Sequence, residues 1–121
     1  EVPYVMSMFD TLAFDTIYHE HLSYWSVTAL NTVLRDNGLV LNEVERIPTH
    51  GGSIRVIASK SGKASDAVTS FLVGEHHDLR RSAYMQFSAR VTRRIAEIGE
   101  RLDSDGPKII ISSLIEDRRV G

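Results

Sequence analysis

Two hydrophobic periodicities alternate along this chain of 121 residues. Residues 27–36 carry apolar side chains at helical spacing, with Ser26 as a candidate N-cap and Gly38 as the left-handed residue that ends the helix. The apolar face predicted for this helix consists of Val27, Leu30, Val33 and Leu34. From Leu39 the period shortens towards two, as in a strand. The pattern therefore predicts a helix followed by extended chain.

Two strands are predicted, over residues 39–47 with one irregularity and over residues 53–59. The five residues between them, Pro-Thr-His-Gly-Gly, suit the loop of an antiparallel hairpin. At the beginning of the chain, Pro3 disfavours a helical conformation at Val2, so an extended or loop conformation is predicted there.

The second half of the chain predicts two more helices, over residues 64–73 and 82–102. The apolar positions of the longer one alternate between steps of three and four residues: Tyr84, Phe87, Val91, Ile95, Ile98 and Leu102. The run Glu-His-His-Asp at 75–78 is interpreted as a polar join between these helices. Residues 108–113, with three consecutive isoleucines at 109–111, predict a final strand buried on both faces, as in a parallel sheet. The predicted class is α/β.

Composition narrows the possible functions. A net charge of -2 provides no basic field for nucleic acid. No apolar run approaches the roughly 20 residues that a membrane helix needs. Neither nucleic acid nor a membrane is therefore expected as a partner. The absence of cysteine excludes disulfides and thiolate zinc sites, and it fits a reducing compartment such as the cytoplasm.

Candidate chemistry is concentrated in residues 16–26, which include Tyr18, His19, Glu20 and His21. A histidine near a phenol or a carboxylate can act as a general base near neutral pH. In an extended segment, Tyr18 and Glu20 would project to one side and the two histidines to the other. A zinc site is a weaker interpretation, because His-Glu-His offers two ligands and no third ligand nearby. A hydrogen-bonded polar loop is the remaining alternative.

Four motifs occur in an order that resembles a known family. They are Glu-Val-Pro-Tyr at 1–4, Phe-Asp-Thr-Ile-Tyr-His-Glu-His-Leu-Ser-Tyr at 14–24, Thr-Ala-Leu at 28–30, and Pro-Thr-His-Gly-Gly-Ser-Ile-Arg-Val at 48–56. From residue 1 to about residue 102 the chain resembles the S-adenosylmethionine-dependent C-methyltransferases. That family includes enzymes that methylate ketosugar nucleotides in deoxysugar biosynthesis. The resemblance implies a sugar nucleotide or other small ketone as substrate.

The resemblance also implies an architecture. Residues 1–60 would form the C-terminal portion of a Rossmann-like methyltransferase domain, with the antiparallel hairpin. Residues 61–121 would contribute the long amphipathic helix and the first strand of the next domain.

The family's acid-base residues match the Tyr-x-Glu-His pattern at 18–21. By this resemblance His21 is the general base and Glu20 orients or polarises it. Tyr18 donates to the enolate oxygen or serves as an alternative base. His19 would contact substrate or be structural. The substrate side would be lined by His50, Gly51, Gly52 and Ser53, although a purely structural turn is an equal alternative for that loop.

The glycine-rich loop that binds S-adenosylmethionine in the family has no counterpart in these 121 residues. The chain is therefore expected to be a fragment that does not methylate in isolation, and no metal is expected. The alternative function is a small non-catalytic dimerisation or binding module. In that case a homo-oligomer would form through the long helix or the sheet edge at 109–111.

Overall fold

The computed structural model describes residues 1–19 and 21–105. Its strands form one antiparallel sheet in the order β1-β3-β2, with β1 at Val2–Pro3, β2 at Val40–Ile47 and β3 at Ser53–Ser59. The α-helices are α1 at Val5–Thr11, α2 at Val27–Asp36, α3 at Asp66–Asp78 and α4 at Arg81–Asp105. Short 3-10 turns occupy Phe14–Thr16 and Thr49–Gly51. The chain divides into two compact units, Glu1–Tyr84 and a second that begins at Met85.

The predicted hairpin is confirmed. Strands β2 and β3 pair antiparallel from Ile47 opposite Ser53, and the register shifts between Leu41 and Glu43. That shift is the irregularity expected in the first strand. The extended opening is also confirmed, because Val2 pairs with Ile54 at the other edge of β3.

Helix α2 has the predicted bounds and the predicted cap, since Ser26 Oγ accepts a hydrogen bond from Ala29 N at 3.0 Å. Gly38 follows with φ 74°. The predicted apolar face is wrong at Val33, which is 46% exposed. At 3.6 residues per turn Val33 lies about 60° beyond Leu30, outside the arc that faces the core.

One helix was not predicted, and the predicted end of another is wrong. Helix α1 was not predicted, although three of its seven residues are buried hydrophobics: Val5, Met8 and Phe9. Helix α3 continues to Asp78, through the segment interpreted as a polar join. It continues because Glu75 lies on the buried side of α3 and its carboxylate has donors there.

Helix α4 confirms the long helix predicted over residues 82–102. The strand predicted at 108–113 lies outside the described residues. Helices and a small antiparallel sheet together are consistent with the α/β class. Within the described ranges, none of the helices combines the length and apolar character needed to span a membrane.

The buried core of the first unit lies where α2 and α3 pack on β2. Its members come from every layer: Tyr4, Val27, Leu41, Val44, Ile54 and Val68. Leu30, Leu34, Phe71 and Leu72 pack around them. The core therefore joins the beginning of the chain to α2 and α3.

One buried carboxylate links three of these elements. Glu75 is 3% exposed and accepts hydrogen bonds from Val27 N at 2.6 Å, Thr28 N at 2.7 Å and Thr28 Oγ1 at 2.6 Å. These N–H groups begin α2, where the helix dipole favours a negative charge. Burial, and next the charge and hydrogen bond of Glu75, raise the pKa of the Tyr4 phenol above its ordinary range. The start of α2 is thus fixed from a residue 48 positions away.

Replacing Glu75 by glutamine tests this role. The amide keeps the shape but turns an NH2 group towards donors, so we expect the free energy of unfolding to fall by about 2 to 3 kcal/mol. Urea denaturation of the full chain measures the change. Asp36→Asn, at an exposed carboxylate, is the matched control and should change stability by less than about 0.5 kcal/mol. Equal losses in the two variants would contradict the role assigned to Glu75.

Candidate functional site

Residues 17–26 connect the first 3-10 turn to α2, and their far end is fixed to the beginning of the chain. Val5 N donates to Trp25 O at 3.0 Å, and Trp25 N donates to Pro3 O at 3.0 Å. The segment is not extended at its centre, because His21 N donates to Tyr18 O at 2.9 Å and closes a turn. This turn places Tyr18 and His21 together, whereas an extended segment would have separated them.

The ring of His21 has a partner on each nitrogen. Nδ1 lies 3.0 Å from Thr16 O, and Nε2 lies 3.2 Å from Tyr18 Oη. A carbonyl oxygen can only accept, so Nδ1 carries the proton. In the neutral ring Nε2 is then the acceptor, and the Tyr18 hydroxyl donates to it. The main chain therefore selects the tautomer in which Nε2 is the basic atom.

Tyr24 is a member of this cluster that the sequence did not single out. Its hydroxyl lies 2.5 Å from Thr16 O, 2.9 Å from Thr16 Oγ1 and 3.4 Å from His21 Nδ1. The signal was present in the sequence as a second tyrosine in the same polar stretch. Its partners could not be read from the pattern, since they depend on the turn that precedes His21.

A pocket brings this cluster together with the hairpin loop. Its lining residues come from four segments: Pro3, Tyr4, Met8, Ala13, Thr16, His21, Tyr24, His50, Gly51 and Gly52. His21 and the predicted substrate loop thus share one concave surface. Small-molecule sites in proteins are usually concave, with volumes of roughly 300 to 1,000 Å³. The cavity here has a volume of about 10 Å³, which admits about one water molecule, so the described residues form one corner of a site of that size.

Four predicted site residues are not among those lining residues. Tyr18 is 45% exposed beside His21, and His19 is exposed. Ser53 is buried and its hydroxyl donates to Thr49 O at 2.9 Å, which closes the hairpin loop. Glu20 lies outside the described residues.

The hairpin loop has a left-handed backbone over three successive residues, with φ 53° at His50, 80° at Gly51 and 113° at Gly52. A Cβ on Gly52 would lie 2.5 Å from Ser7 Cβ, inside contact distance. A Cβ on Gly51 would meet nothing within 4 Å. Gly52 therefore permits the loop to pack against α1, whereas Gly51 is required only by its backbone conformation.

Alanine substitutions separate these two requirements. Gly51→Ala should lower the free energy of unfolding by about 1 to 2 kcal/mol, the cost of a left-handed residue with a Cβ. Gly52→Ala carries that cost and a clash with Ser7, so we expect about 1 to 3 kcal/mol more. Urea denaturation of both variants measures the difference. If Gly51→Ala is the more damaging change, the packing of Gly52 on α1 is not what the loop requires.

Charge near the pocket comes from Arg46. Its guanidinium carbon lies 4.9 Å from the centre of the Tyr4 ring, within the range of a cation-π contact, and Arg46 also pairs with Asp10 at 3.2 Å. Across residues 1–19 and 21–105, histidine and carboxylate side chains form no group of three that could hold a metal ion.

The chain is similar to one characterised class of enzyme. It is 35% identical to the C-methyltransferase NovU of Streptomyces niveus over 117 residues, which cover 90% of this chain. The chain spans 28% of the length of that relative. No protein-family model matches the chain.

This similarity supports a relationship to the methyltransferases, as the sequence motifs predicted. It does not favour the alternative of a dimerisation or binding module. The match covers most of the chain, so the described pocket lies in a region that is similar to a C-methyltransferase.

Proposed function

We propose that this chain forms the proton-abstraction side of a C-methyltransferase that acts on a carbon beside a ketone. The carrying observation is the 3.0 Å distance between His21 Nδ1 and Thr16 O in a residue that lines the pocket, because a proton on Nδ1 leaves Nε2 as the basic atom. Methylation at carbon needs such a base, because a C–H bond beside a carbonyl must first be broken. The proposed substrate is a ketosugar nucleotide or another small ketone.

The proposed step moves one proton. The C–H bond beside the ketone breaks, the proton passes to His21 Nε2, and the electron pair enters the carbonyl to give an enolate. The Tyr18 hydroxyl, which lies 3.2 Å from Nε2 before substrate is present, turns to donate to the enolate oxygen. The imidazolium that forms keeps its other N–H on Thr16 O.

Further roles are proposed from the family resemblance. Glu20 orients or polarises His21, and His50, Gly51 and Gly52 face the substrate across the pocket. His19 contacts the outer part of the substrate, in keeping with its exposed position. Ser53 holds the substrate loop through Thr49 O.

The methyl donor of the reaction is proposed to be S-adenosylmethionine. The described residues do not fit this cofactor, because their sheet is antiparallel and the glycine pair leads into β3 instead of a helix. We assign the donor's pocket to the part of a C-methyltransferase that this chain does not span. Residues 1–60 would then close a Rossmann-like domain, with α3 packed on its core, and residues 61–121 would lead through the long helix into the domain that follows.

Proton exchange tests the base without methyl transfer. In D2O, the full chain should accelerate deuterium incorporation beside the carbonyl of a ketosugar nucleotide, measured by mass spectrometry. His21→Gln should slow this exchange by about 100-fold or more, the range of general-base catalysis.

His76→Gln, at an exposed histidine of α3, is the control for exchange and should behave as the unmodified chain. The proposed base would be contradicted if the unmodified chain exchanged no faster than buffer alone. It would also be contradicted if His21→Gln exchanged as fast as the unmodified chain.

Calorimetry tests whether the pocket for S-adenosylmethionine lies outside this chain. Titrating the full chain with S-adenosylmethionine should give no saturable heat, because the described residues lack the cofactor's loop. Binding at about 1 μM, equivalent to roughly -8 kcal/mol, would overturn the assignment of the donor's pocket to another part of the enzyme.

A further inference from the structure

The Tyr24 hydroxyl lies close to Thr16 O, Thr16 Oγ1 and His21 Nδ1, the atoms that bear on which His21 nitrogen carries the proton. A phenol has one proton and two lone pairs, and the proton of Thr16 Oγ1 is already directed to Ala13 O at 2.6 Å. Tyr24 therefore donates to Thr16, and the carbonyl oxygen at 2.5 Å is closer than the hydroxyl at 2.9 Å. The lone pairs of Tyr24 then remain available towards His21 Nδ1, 3.4 Å away.

We propose that Tyr24 is a positioning residue for His21, an inference that rests on the proposed function. Tyr24 holds the Thr16 carbonyl where it accepts the Nδ1 proton, and its own oxygen forms a second, longer acceptor for the same proton. Tyr24 acts through these atoms and does not take the substrate's proton.

The two tautomers of His21 differ in the hydrogen bonds that their ring nitrogens can make. With the proton on Nδ1, Thr16 O accepts it and Tyr18 donates to Nε2. With the proton on Nε2, a lone pair of Nδ1 would face a carbonyl lone pair at 3.0 Å. The nearest hydroxyl, Tyr24 Oη at 3.4 Å, could donate to Nδ1 only by giving up its shorter bond to Thr16 O. The preference depends on the carbonyl staying in place. Tyr24 Oη and Tyr18 N both donate to this oxygen, and the Thr16 hydroxyl bonds the same residue to Ala13 O. Of these groups, Tyr24 makes the shortest contact with the carbonyl.

Because the cluster is only partly buried, the Thr16 carbonyl needs hydrogen bonds to stay in place. His21 and Tyr24 are both partly exposed, so water competes for the Thr16 carbonyl. A freed carbonyl would also permit the imidazole to turn about its χ2 angle, which is a broad torsion for histidine. In either case a smaller fraction of molecules would present Nε2 as the base.

Nitrogen-15 spectra of the histidine rings test the proposal on the full chain without any catalysis. They are recorded at about pH 8.5, above the ordinary histidine pKa of about 6.5, and His21→Gln identifies the His21 signals. The unmodified chain should show His21 with Nδ1 protonated and Nε2 unprotonated. Tyr24→Phe should show the two tautomers mixed. A protonated Nε2 in the unmodified chain, or an unaltered pattern in Tyr24→Phe, would overturn the proposal.

Two variants make this readout specific. Tyr84→Phe removes a phenol that has no hydrogen bond to the cluster and should leave the His21 signals unchanged. Thr16→Val removes the hydroxyl that donates to Ala13 O and accepts from Tyr24 Oη, and it should mix the tautomers in the same direction as Tyr24→Phe. It therefore decides the question if Tyr24→Phe fails to fold. Unchanged tautomers in Thr16→Val would then count against the proposal.

The exchange assay separates this inference from the proposed function. Tyr24→Phe should lower the exchange rate at saturating ketone by about 10-fold with little change in the half-saturating concentration, as expected when an interaction made in the transition state is weakened. If the tautomers mix but the unmodified chain exchanges no protons, the positioning role stands and the proposed base fails. If exchange is fast and the tautomer of Tyr24→Phe is unaltered, the positioning role fails alone.

Discussion

The buried carboxylate of Glu75 is the interaction on which the site depends. An unpaired charge in the core would be strongly destabilising, and here it is compensated by two main-chain N–H groups and a hydroxyl at the start of α2. Helix α2 begins at Val27, directly after the segment that contains His21. Fixing this helix end therefore fixes one end of the candidate site.

The chemistry of the site is set by the main chain as much as by side chains. A histidine whose proton is held by a side-chain carboxylate can change tautomer when that carboxylate moves or titrates. Thr16 O does not titrate at any ordinary pH, and the 3-10 turn at Phe14–Thr16 together with Tyr24 places it beside Nδ1. The proposed base would thereby be in its acceptor tautomer before a substrate binds, which would lower the reorganisation needed during reaction.

Local patterns predicted much of the fold, and the family resemblance indicated His21 and residues 50–52, which share the pocket. The bounds of α2 and the hairpin follow from caps, period and turn residues that lie within a few positions of one another. The continuation of α3 was not predictable in this way, because the donors to Glu75 lie 47 and 48 residues earlier. The pairing of Tyr18 with His21 was missed for a related reason, since it needs a turn where the residue types also permit extended chain.

Helix α1 shows why a short unpredicted element can matter most to a site. Its first N–H groups have no partner within the helix. Tyr4 N donates to Gly52 O at 3.3 Å, and Val5 N donates to Trp25 O at 3.0 Å. Adjacent residues thus hold the two sides of the pocket, the glycine loop and the segment of His21. A displacement of either side is transmitted to the other through a single peptide unit, so the proposed base and the proposed substrate loop keep their spacing.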